Sequence, residues 1–542
     1  MPSAFMNLLR GYAHVRIVPL ILLGDMKNDF LVCCAAVALS LGAPFEGRAA
    51  VFDVKAFGAK ADGTTPDRDA INKAIDAAAA AGGGTVYFPA GTYLTGSIRL
   101  RSNIALQFDP GCVIKASKDT STIDQAMSAL IWGVGLENVS IVGSGLISGT
   151  DVLTRQKRPG TLNGDKAIGL KHCRNVTLRD FSVANGGHSA ITVVEMYNLT
   201  IDNVKVDTIR DGIDVGGTNI RISNTSVNSP IDDGICLKSD RDQGIAYSCE
   251  NITITNCLVS GYEVGSLLDG TYKRTFKLAP DRDGATGRIK MGTGSAGGFK
   301  NITISNVVFD CCRGLALECV DGGKLEDITI SNITMRDITN SPIFIRLGSR
   351  MMWATEGTPI GTARRISISN VVVYNADPRY PSIITGIPGH DVEDIKLSDI
   401  RIFCRGGLTL DQVAKQPADM VNTFFFSRGR REGVPPREPF DTPEHEKDYP
   451  EPSMFGLLPA YGFFIRHAKG IELNNVEARF MQEDRRPAFV LDDVNSVDFF
   501  HVKAQKAADI PTIVLKKVKD FTARACTPLP DTQIPSVDRR DM

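Results

Sequence analysis

The stretch Asn198–Lys238 reads NLTIDNVKVDTIRDGIDVGGTNIRISNTSVNSPIDDGICLK and contains one phrase twice. NLTIDN opens the stretch, and NIRISN begins 21 residues later at Asn219. An aspartate stands 13 residues after each start, Asp211 in the first copy and Asp232 in the second, and Asp233 follows directly. If each copy is one coil of a stack, Asp211 and Asp232 lie one above the other at the strand spacing of about 4.8 Å. The stretch therefore predicts stacked coils with carboxylates crowded at one place.

The same phrase, polar-apolar-x-apolar-x-Asn, recurs along most of the chain. Its β-branched, alternating residues are typical of a strand with one buried face. Such a repeat cannot bury its apolar face alone, so neighbouring copies must stack. The asparagines suit turns in the left-handed conformation, and their amides can pair between coils. The copies begin at Asn138, Asn175, Asn198, Asn219, Asn251, Asn301, Asp327, Arg365, Asp394, Gly470 and Ser496.

A segment before the repeats predicts a cap for the stack. Asp67 is a favourable helix start, and the glycines from Gly82 onward end the helical pattern. A helix here covers the core and the unpaired strand edge at the open end of a stack. Leucine-rich repeats are disfavoured because their Leu-x-x-Leu-x-Leu pattern is missing. We therefore predict an all-β parallel β-helix with a small N-terminal capping helix. The apolar positions of that helix are Ile71, Ala74, Ile75 and Ala78.

The first 50 residues are expected to lie outside the fold. The apolar run Phe30–Ala43 is preceded by Met26-Lys27 and followed by small residues, as in a secretory signal. The run is short for a membrane span, and a buried helix is the alternative. We expect residues 1–50 to be an upstream extension plus a signal peptide, with translation starting at Met26. The mature protein is then exported, periplasmic or secreted, without a membrane span.

The remaining chain, residues 51–542, is predicted to be one β-helix catalytic domain. Its longest gaps between repeats predict insertions near 263–298 and 406–465, and repeat proteins often place insertions on the binding face. The net charge of −1 gives no reason to expect a nucleic-acid partner. Ten cysteines follow residue 50, without metal-binding spacing. We expect mostly buried thiols, with at most one or two bridges whose pairing the sequence does not assign.

The crowded carboxylates indicate acid/base chemistry. Like charges raise one pKa, which leaves a protonated acid beside an ionised base. Hydrolysis of a glycosidic bond needs such a pair. The alternative is that Asp211 and Asp232 are turn aspartates that end strands. The repeated offset and the adjacent Asp233 favour the catalytic interpretation.

Other polar residues are candidates for binding substrate. His188 stands at the same offset, 13, after Asn175 and could bind substrate or tune a carboxylate; a surface turn histidine is the alternative. Arg288 and Lys290 share one strand face and could hold an anionic sugar such as a uronate. Arg346 and His467 could reach the site from later coils, or be solvated rim groups.

These residues resemble a known family. The opening FDVKAFGAKADGTTPDRDAINKAI, from Phe52, is similar to the N-terminal cap of glycoside hydrolase family 28, the polygalacturonases, within the pectin-lyase-like right-handed β-helix proteins. Residues 209–212 (IRDG) are similar to that family's Asn-Thr-Asp-Gly motif. Residues 231–233 (IDD) are similar to its Gly-Asp-Asp motif, and its Arg-Ile-Lys motif stands intact at 288–290. The resemblance runs to at least Asn306.

The resemblance implies roles for the site residues. Asp232 is the general acid, and Asp211 and Asp233 activate the attacking water, with inversion at the anomeric carbon. Arg288 and Lys290 bind the sugar carboxylate. No cofactor and no metal are implied.

One motif of the family is missing. Its Gly-His-Gly should fall near Tyr262–Gly265, where the sequence has no histidine. His188 could substitute from the neighbouring coil, or Glu263 could mark a different sugar at that subsite.

The sequence thus predicts a polygalacturonase-like glycoside hydrolase with a polysaccharide or oligosaccharide partner, acidic because of the retained cations. The alternatives are a calcium-dependent polysaccharide lyase, with calcium held by the three aspartates, and a non-catalytic carbohydrate-binding β-helix. The exact sugar, the linkage, the endo or exo mode and the oligomeric state do not follow from the sequence.

Overall fold

The β-strands of the chain stack in coils. A computed structural model describes residues 50–154, 156–157, 164–242, 245–274, 284–352, 354–421 and 434–542. The predicted signal segment and Met26 lie outside the described residues. Ala50–Met542 form one unit, and no helix in the described ranges is long and apolar enough to cross a membrane.

The strands are numbered in chain order. The first eighteen are β1 (Val51–Asp53), β2 (Asp62–Pro66), β3 (Gly84–Phe88), β4 (Gly91–Thr95), β5 (Ile98–Arg99), β6 (Ile104–Phe108), β7 (Cys112–Ala116), β8 (Ala129–Val134), β9 (Glu137–Gly143), β10 (Leu146–Ser148), β11 (Lys166–Lys171), β12 (Arg174–Arg179), β13 (Ser182–Ala184), β14 (Ser189–Asp202), β15 (Lys205–Asp207), β16 (Asp211–Ser223), β17 (Ser226–Asn228) and β18 (Ile235–Ser239). The later strands are β19 (Arg241–Asp242), β20 (Ile245–Ala246), β21 (Cys249–Thr255), β22 (Leu258–Ser260), β23 (Ile289–Ser295), β24 (Phe299–Asp310), β25 (Leu315–Cys319), β26 (Lys324–Arg336), β27 (Ile343–Leu347), β28 (Thr362–Ala376), β29 (Ser382–Thr385), β30 (Val392–Gly406), β31 (Phe463–Gln482), β32 (Phe489–Phe500), β33 (Lys503–Ala504), β34 (Ile513–Arg524) and β35 (Thr532–Asp541).

Helices are few and short. The α-helices of the described residues are α1 (Arg68–Ala80) and α2 (Leu410–Lys415). The 3-10 turns are Val54–Phe57, Thr120–Thr122 and Pro452–Phe455. The predicted capping helix is confirmed as α1, whose buried residues are Ile71, Ala74, Ile75 and Ala78.

Successive coils pair in parallel, which confirms the predicted parallel β-helix. One face, called face A here, consists of β5, β8, β11, the first half of β14, the first half of β16, β18, β23, β25, β27, β29 and the starts of β31, β32 and β34. Its inward residues form a buried aliphatic column. The column runs through Ile131, Ile168, Ile191, Ile213, Ile235, Ile289, Leu315 and Ile343. Because side chains alternate along a strand, the residues directly before and after each of these inward positions point outward.

The asparagines make ladders between coils, as predicted. Asn251 has φ 57° and donates its amide to Asn219 Oδ1 at 3.1 Å. Asn301 donates in turn to Asn251 Oδ1 at 2.7 Å. Each amide thus satisfies the next while its backbone turns the corner between two faces.

Both ends of the stack carry a different structure. Helix α1 packs beside the first coils, and β35 pairs antiparallel with β34 after the last coil. This antiparallel strand occupies an edge that would otherwise be unpaired.

Two segments interrupt the coils near the positions predicted. The first occupies 261–288, between β22 and β23. Its predicted end at residue 298 is wrong, because Ile289–Ser295 is a strand of face A. The second occupies 407–462, between β30 and β31.

The cysteines after residue 50 are all free thiols, so no bridge forms among them. Nine are buried, and Cys526 is partly exposed. They act as small apolar side chains of the core.

Candidate active site

The three predicted carboxylates meet at the start of face A. Asp211 is the first residue of β16, and Asp232 and Asp233 lie in the turn before β18. One carboxylate oxygen from each residue lies within 4.8 Å of the others. Two of the side chains are buried, and that of Asp232 is 25% exposed.

The register of the coils differs by one residue from the prediction. Ile213 pairs with Ile235, and the Ile231 amide donates to the Ile209 carbonyl, so the offset here is 22 residues rather than 21. Asp211 therefore lies beside Asp233, and the predicted stacking of Asp211 on Asp232 is wrong. The 21-residue spacing still holds where Asp207 pairs with Asn228, so the stretch from Asn228 to Ile235 contains one residue more than the stretch from Asp207 to Ile213.

Arg210 lies beside Asp232 and forms an ion pair with it. Arg210 Nε donates to Asp232 Oδ2 at 2.9 Å, and its Nη2 contacts the same oxygen. Arg210 Nη2 also lies 3.6 Å from Asp211 Oδ2. The general acid implied by the resemblance is thus in an ion pair, while its second oxygen, Oδ1, accepts from the Asp233 amide at 3.1 Å.

The glycines that follow the aspartates allow the coils to approach. A Cβ on Gly212 would lie 2.3 Å from Val227 Cγ1 and 2.5 Å from the Gly234 carbonyl oxygen. The Asp-Gly pairs therefore hold two turns in backbone contact, which brings Asp211 and Asp233 together.

The protonation of Asp211 is shifted toward the neutral acid. Burial raises its pKa well above the ordinary value, and the negative charges of Asp232 and Asp214 raise it further. Lys238 opposes this shift without cancelling it. Asp211 therefore binds a proton more tightly than an ordinary aspartate does.

Asp233 has the opposite environment. Burial alone would raise its pKa, but the charges of Arg288 and Lys290 outweigh burial and hold the pKa well below its usual range. Arg288 Nε lies 2.6 Å from Asp233 Oδ1, and Lys290 Nζ lies 3.5 Å from Oδ2. The pKa values of two adjacent carboxylates are thus shifted in opposite directions.

Arg288 and Lys290 come to the site as predicted but are not exposed to it. They are 4% and 1% exposed. Arg288 also binds the carboxylate of Glu451 at 2.9 Å, and Lys290 donates to the Tyr449 hydroxyl at 3.0 Å. Their charges are used by the protein itself.

Three site residues were missed by sequence reasoning. Glu318 lies 3.5 Å from Lys290 Nζ, and burial raises its pKa to about 7. Tyr449 and Glu451 come from the second inserted segment. No sequence signal connects Glu451 to Arg288, because the two are 163 residues apart.

Part of that inserted segment, Thr442–Ala460, covers the later coils of face A; we call it the covering segment. The outward positions of these coils are apolar, unlike those near Asp211. Met454, Phe455 and Leu458 of the covering segment pack on them in one buried cluster. The outward residues covered in this way are Ala316, Phe344, Ile383, Phe464, Val490 and Val514.

Arg346 and His467, which were predicted to reach the site from later coils, contact the covering segment instead. Arg346 is 1% exposed and donates to the carbonyls of Glu444 and His445, both at 3.0 Å. His467 lies 3.1 Å from Glu444 Oε2 and 2.7 Å from Asp493 Oδ2. Both residues hold the covering segment, and none of these contacts involves the three aspartates.

The other two predicted residues have different surroundings. The Glu263 side chain is exposed, and none of its described contacts reaches the carboxylates. His188 lies beside the site, one coil before Arg210 and half-buried. Burial and the charges of Arg210 and Lys238 lower its pKa to about 4.

The three aspartate oxygens are close enough to hold a cation such as calcium. Cationic side chains already bind the carboxylates of two of these aspartates, however. Arg210 is paired with Asp232, and Arg288 and Lys290 with Asp233. A divalent ion would have to displace these cations, so the residues fit a metal poorly.

Comparison with known proteins agrees with the fold. Residues 51–263 match the family described as Rhamnogalacturonase A/epimerase, pectate lyase-like. Mannuronan C5-epimerase AlgE1 of Azotobacter vinelandii is 32% identical over 204 residues, 35% of this chain and 14% of that protein. The chain thus spans about a seventh of the length of that relative.

Two solved structures are similar over most of the stack. The exopolygalacturonase of Thermotoga maritima has a TM-score of 0.54 at 23% identity, over 66% of this chain and 87% of that one. The family 28 exopolygalacturonase of Yersinia enterocolitica has a TM-score of 0.57 at 16% identity, over 83% and 78%. At these identities the likeness defines the fold alone: the chain is a right-handed parallel β-helix.

Proposed function

We propose that this protein is a glycoside hydrolase that cleaves a uronate-containing, pectin-type polysaccharide or oligosaccharide. The observation that carries the proposal is that three carboxylates lie within 4.8 Å of one another, with the partly exposed Asp232 beside two buried aspartates whose pKa values are shifted in opposite directions. Carboxyl groups whose environments separate their pKa values are the usual acid and base of glycosidic hydrolysis.

Each aspartate has a role in the proposed reaction. Asp232, the most exposed of the three, contacts the glycosidic oxygen and relays to it a proton from Asp211, the aspartate whose pKa is raised. Asp233 accepts a proton from the attacking water. Its oxygens are oriented by Arg288 and Lys290, which keep it ionised.

We further propose that water, rather than a carboxylate, attacks the sugar. A covalent intermediate needs a free carboxylate oxygen, whereas Asp233 is held by two cations and Asp232 by Arg210. The spacing of the carboxylate oxygens argues the other way. They lie within 4.8 Å of one another, nearer to the separation of about 5 Å typical of retaining enzymes than to the 6.5–9.5 Å typical of inverting ones. The anomer released first, read by proton NMR, distinguishes the two; we expect inversion.

The covering segment supports an exo mode of action. It fills face A from the coil of Lys290 onward, directly beside Asp233. A sugar chain can then extend from the carboxylates only over the earlier coils, so cleavage releases short products from one chain end.

A second candidate is chemistry at C5 of a uronate, as in an epimerase or a lyase. It is favoured by the similarity to mannuronan C5-epimerase AlgE1. Its calcium-dependent form is disfavoured by the cations that already occupy Asp232 and Asp233.

Digestion of pectic polysaccharides, oligogalacturonides and alginate tests the proposal. Reducing ends and the ultraviolet absorbance of unsaturated products are measured together for the wild type and Asp232→Asn. We expect new reducing ends without that absorbance, and a loss of at least about a hundredfold in the variant. Asp69→Asn, on the exposed surface of α1, is the matched control and should keep full activity.

Other results would replace the proposal. Absorbance that requires calcium would identify a lyase, and a change of uronate configuration without cleavage would identify an epimerase. Binding without turnover, unchanged by Asp232→Asn, would identify a carbohydrate-binding β-helix.

A further inference from the structure

A second cluster of polar residues lies on the coils before Asp211. Lys166 begins β11 and is aligned with Ser189 and then with Asp211, two coils further on. Thr192 is aligned with Asp214 on the outward side of face A. His188 and Lys238 complete the cluster, which is distinct from the buried pairs around Arg288.

Lys166 is a buried cation without a carboxylate partner. It is 7% exposed, and its Nζ donates to the carbonyls of Met127 at 3.1 Å and Gly164 at 3.0 Å. Within the described ranges, no carboxylate lies at ion-pair distance from it. Burial lowers its pKa, and Asp214 is the carboxylate that most opposes this. An ammonium buried in this way is costly unless an anion joins it.

Two neighbouring side chains have polar atoms without a hydrogen-bond partner in the described structure. They are His188 Nδ1 and Thr192 Oγ1, both enclosed by protein atoms. Buried polar atoms in proteins are nearly always hydrogen-bonded, so unsatisfied ones point to a missing partner. His188 lies one coil before Arg210, and Thr192 lies one coil before Asp214. Both are on the side of the site where Lys166 lies.

Three cations act on His188. Arg210, Lys238 and Lys166 all lower the pKa of His188, and Asp214 alone among the strongest influences raises it. Asp214 is already paired with Lys238 at 2.9 Å. At Arg288 and Lys290, by contrast, the protein supplies Asp233, Glu318 and Glu451 as counter-charges.

We propose that Lys166, with His188, Thr192 and Lys238, forms a subsite for the carboxylate of a uronate on the earlier-coil side of the catalytic aspartates. The substrate carboxylate is the anion that Lys166 lacks. Because protein atoms enclose His188 Nδ1 and Thr192 Oγ1, the sugar bonds to these two atoms only after neighbouring side chains move. This inference rests on the proposed function and moves uronate recognition away from Arg288 and Lys290.

Binding, rather than turnover, tests the subsite. Trigalacturonate and its carboxyl-reduced counterpart are titrated by calorimetry into the full-length Asp232→Asn protein, with and without Lys166→Met. Methionine keeps the length and apolar stem of lysine while removing its charge. Lys205→Met, on an exposed strand residue of another face, is the matched control. Thermal melts establish that each variant is folded.

We expect the parent protein to bind trigalacturonate at least tenfold more tightly than the reduced sugar. Lys166→Met should remove this preference by weakening only the charged ligand, and Lys205→Met should keep it. Equal discrimination with and without Lys166 would overturn the subsite. Thr192→Val gives a second reading if Lys166→Met does not fold: it should weaken both ligands, and no change in either would overturn the role of Thr192.

The binding preference for the charged ligand can be measured whether or not the protein cleaves the substrate. Loss of discrimination in a protein whose wild type cleaves nothing would sustain the subsite and refute the hydrolase. Cleavage with unchanged discrimination would do the reverse.

Discussion

Asp211 and Asp233 stand side by side on neighbouring coils, yet their environments drive protonation in opposite directions. The difference comes from their neighbours: Asp211 faces Asp232 and Asp214, whereas Asp233 faces Arg288 and Lys290. The sequence placed the aspartates together correctly but could not assign these states. A register of 22 rather than 21 residues decides which carboxylate stands beside which.

Glu318 gives a pH-dependent stability that can be measured. Burial raises its pKa from 4.5 to about 7, so the folded protein binds this proton more tightly than the unfolded chain does. The resulting stabilisation is full below pH 4.5 and is lost as the pH rises through 7; for a shift of this size it is about 3 kcal/mol.

Glu318→Gln should therefore melt at a temperature that falls less than that of the wild type between pH 5 and pH 8. The measurement is a set of thermal melts at fixed ionic strength. Glu263→Gln, an exposed glutamate, is the control and should follow the wild type. A Glu318→Gln curve parallel to the wild type would refute the shifted pKa.

At the scale of the strand and turn, the asparagine ladders combine two functions. Each asparagine adopts a positive φ, which asparagine tolerates better than most residues, and each amide bonds to the next coil. This combination explains why the repeated phrase predicted the fold. The information needed for a turn and for stacking lies within one short segment of sequence.

Asn251 separates the two contributions. Asn251→Ala loses the amide bonds to Asn219 and Asn301 and also strains a backbone with φ 57°, so we expect a loss of about 2 kcal/mol in the free energy of unfolding. Asn251→Gly relieves the strain and should lose about 1 kcal/mol. Denaturant titration measures both, and equal losses would contradict the contribution of backbone strain.

At the scale of the whole molecule, the covering segment decides how much of face A a substrate can reach. It is fixed by apolar packing and by arginines that donate to its carbonyls. Its Glu451, 1% exposed, bridges Arg288 and Arg313. The segment therefore joins Arg288, which is paired with Asp233, to the later coils of face A.

Glu451→Gln tests this connection. Removing the carboxylate leaves two buried guanidinium groups with less counter-charge, so we expect a loss of about 3 kcal/mol in stability. Denaturant titration measures the loss. Glu438→Gln, an exposed residue of the same inserted segment, is the control and should be within about 0.5 kcal/mol of the wild type.

The same variant tests the mode of cleavage. If the covering segment ends the substrate site, loosening it should add longer oligosaccharides to the products, resolved by anion-exchange chromatography. Glu438→Gln should give the wild-type products. An unchanged product distribution in a Glu451→Gln protein with a lowered melting temperature would contradict the exo mode.

Export stays a prediction, since it depends on residues 1–50. N-terminal sequencing of the protein recovered outside the cytoplasm should find a start near Ala50 or Val51. A chain that retains Met1 or Met26 there would contradict a cleaved signal.

The sequence by itself determined the stack, its turns and the neighbourhood of Asp211, Asp232 and Asp233. These features follow from residues close together in the chain, whose alternation and spacing specify strands and corners. It also predicted correctly that Arg288 and Lys290 would reach the carboxylates, because their strand is one coil further on.

Only the tertiary structure decided how these cations are used. Glu451 and Tyr449 reach them from a segment about 160 residues away, and that segment also occupies Arg346 and His467. Local patterns encode the coils, but a contact between distant segments depends on which surfaces meet once the coils are stacked. For that reason the predicted binding cations proved to be buried partners of the protein's own carboxylates.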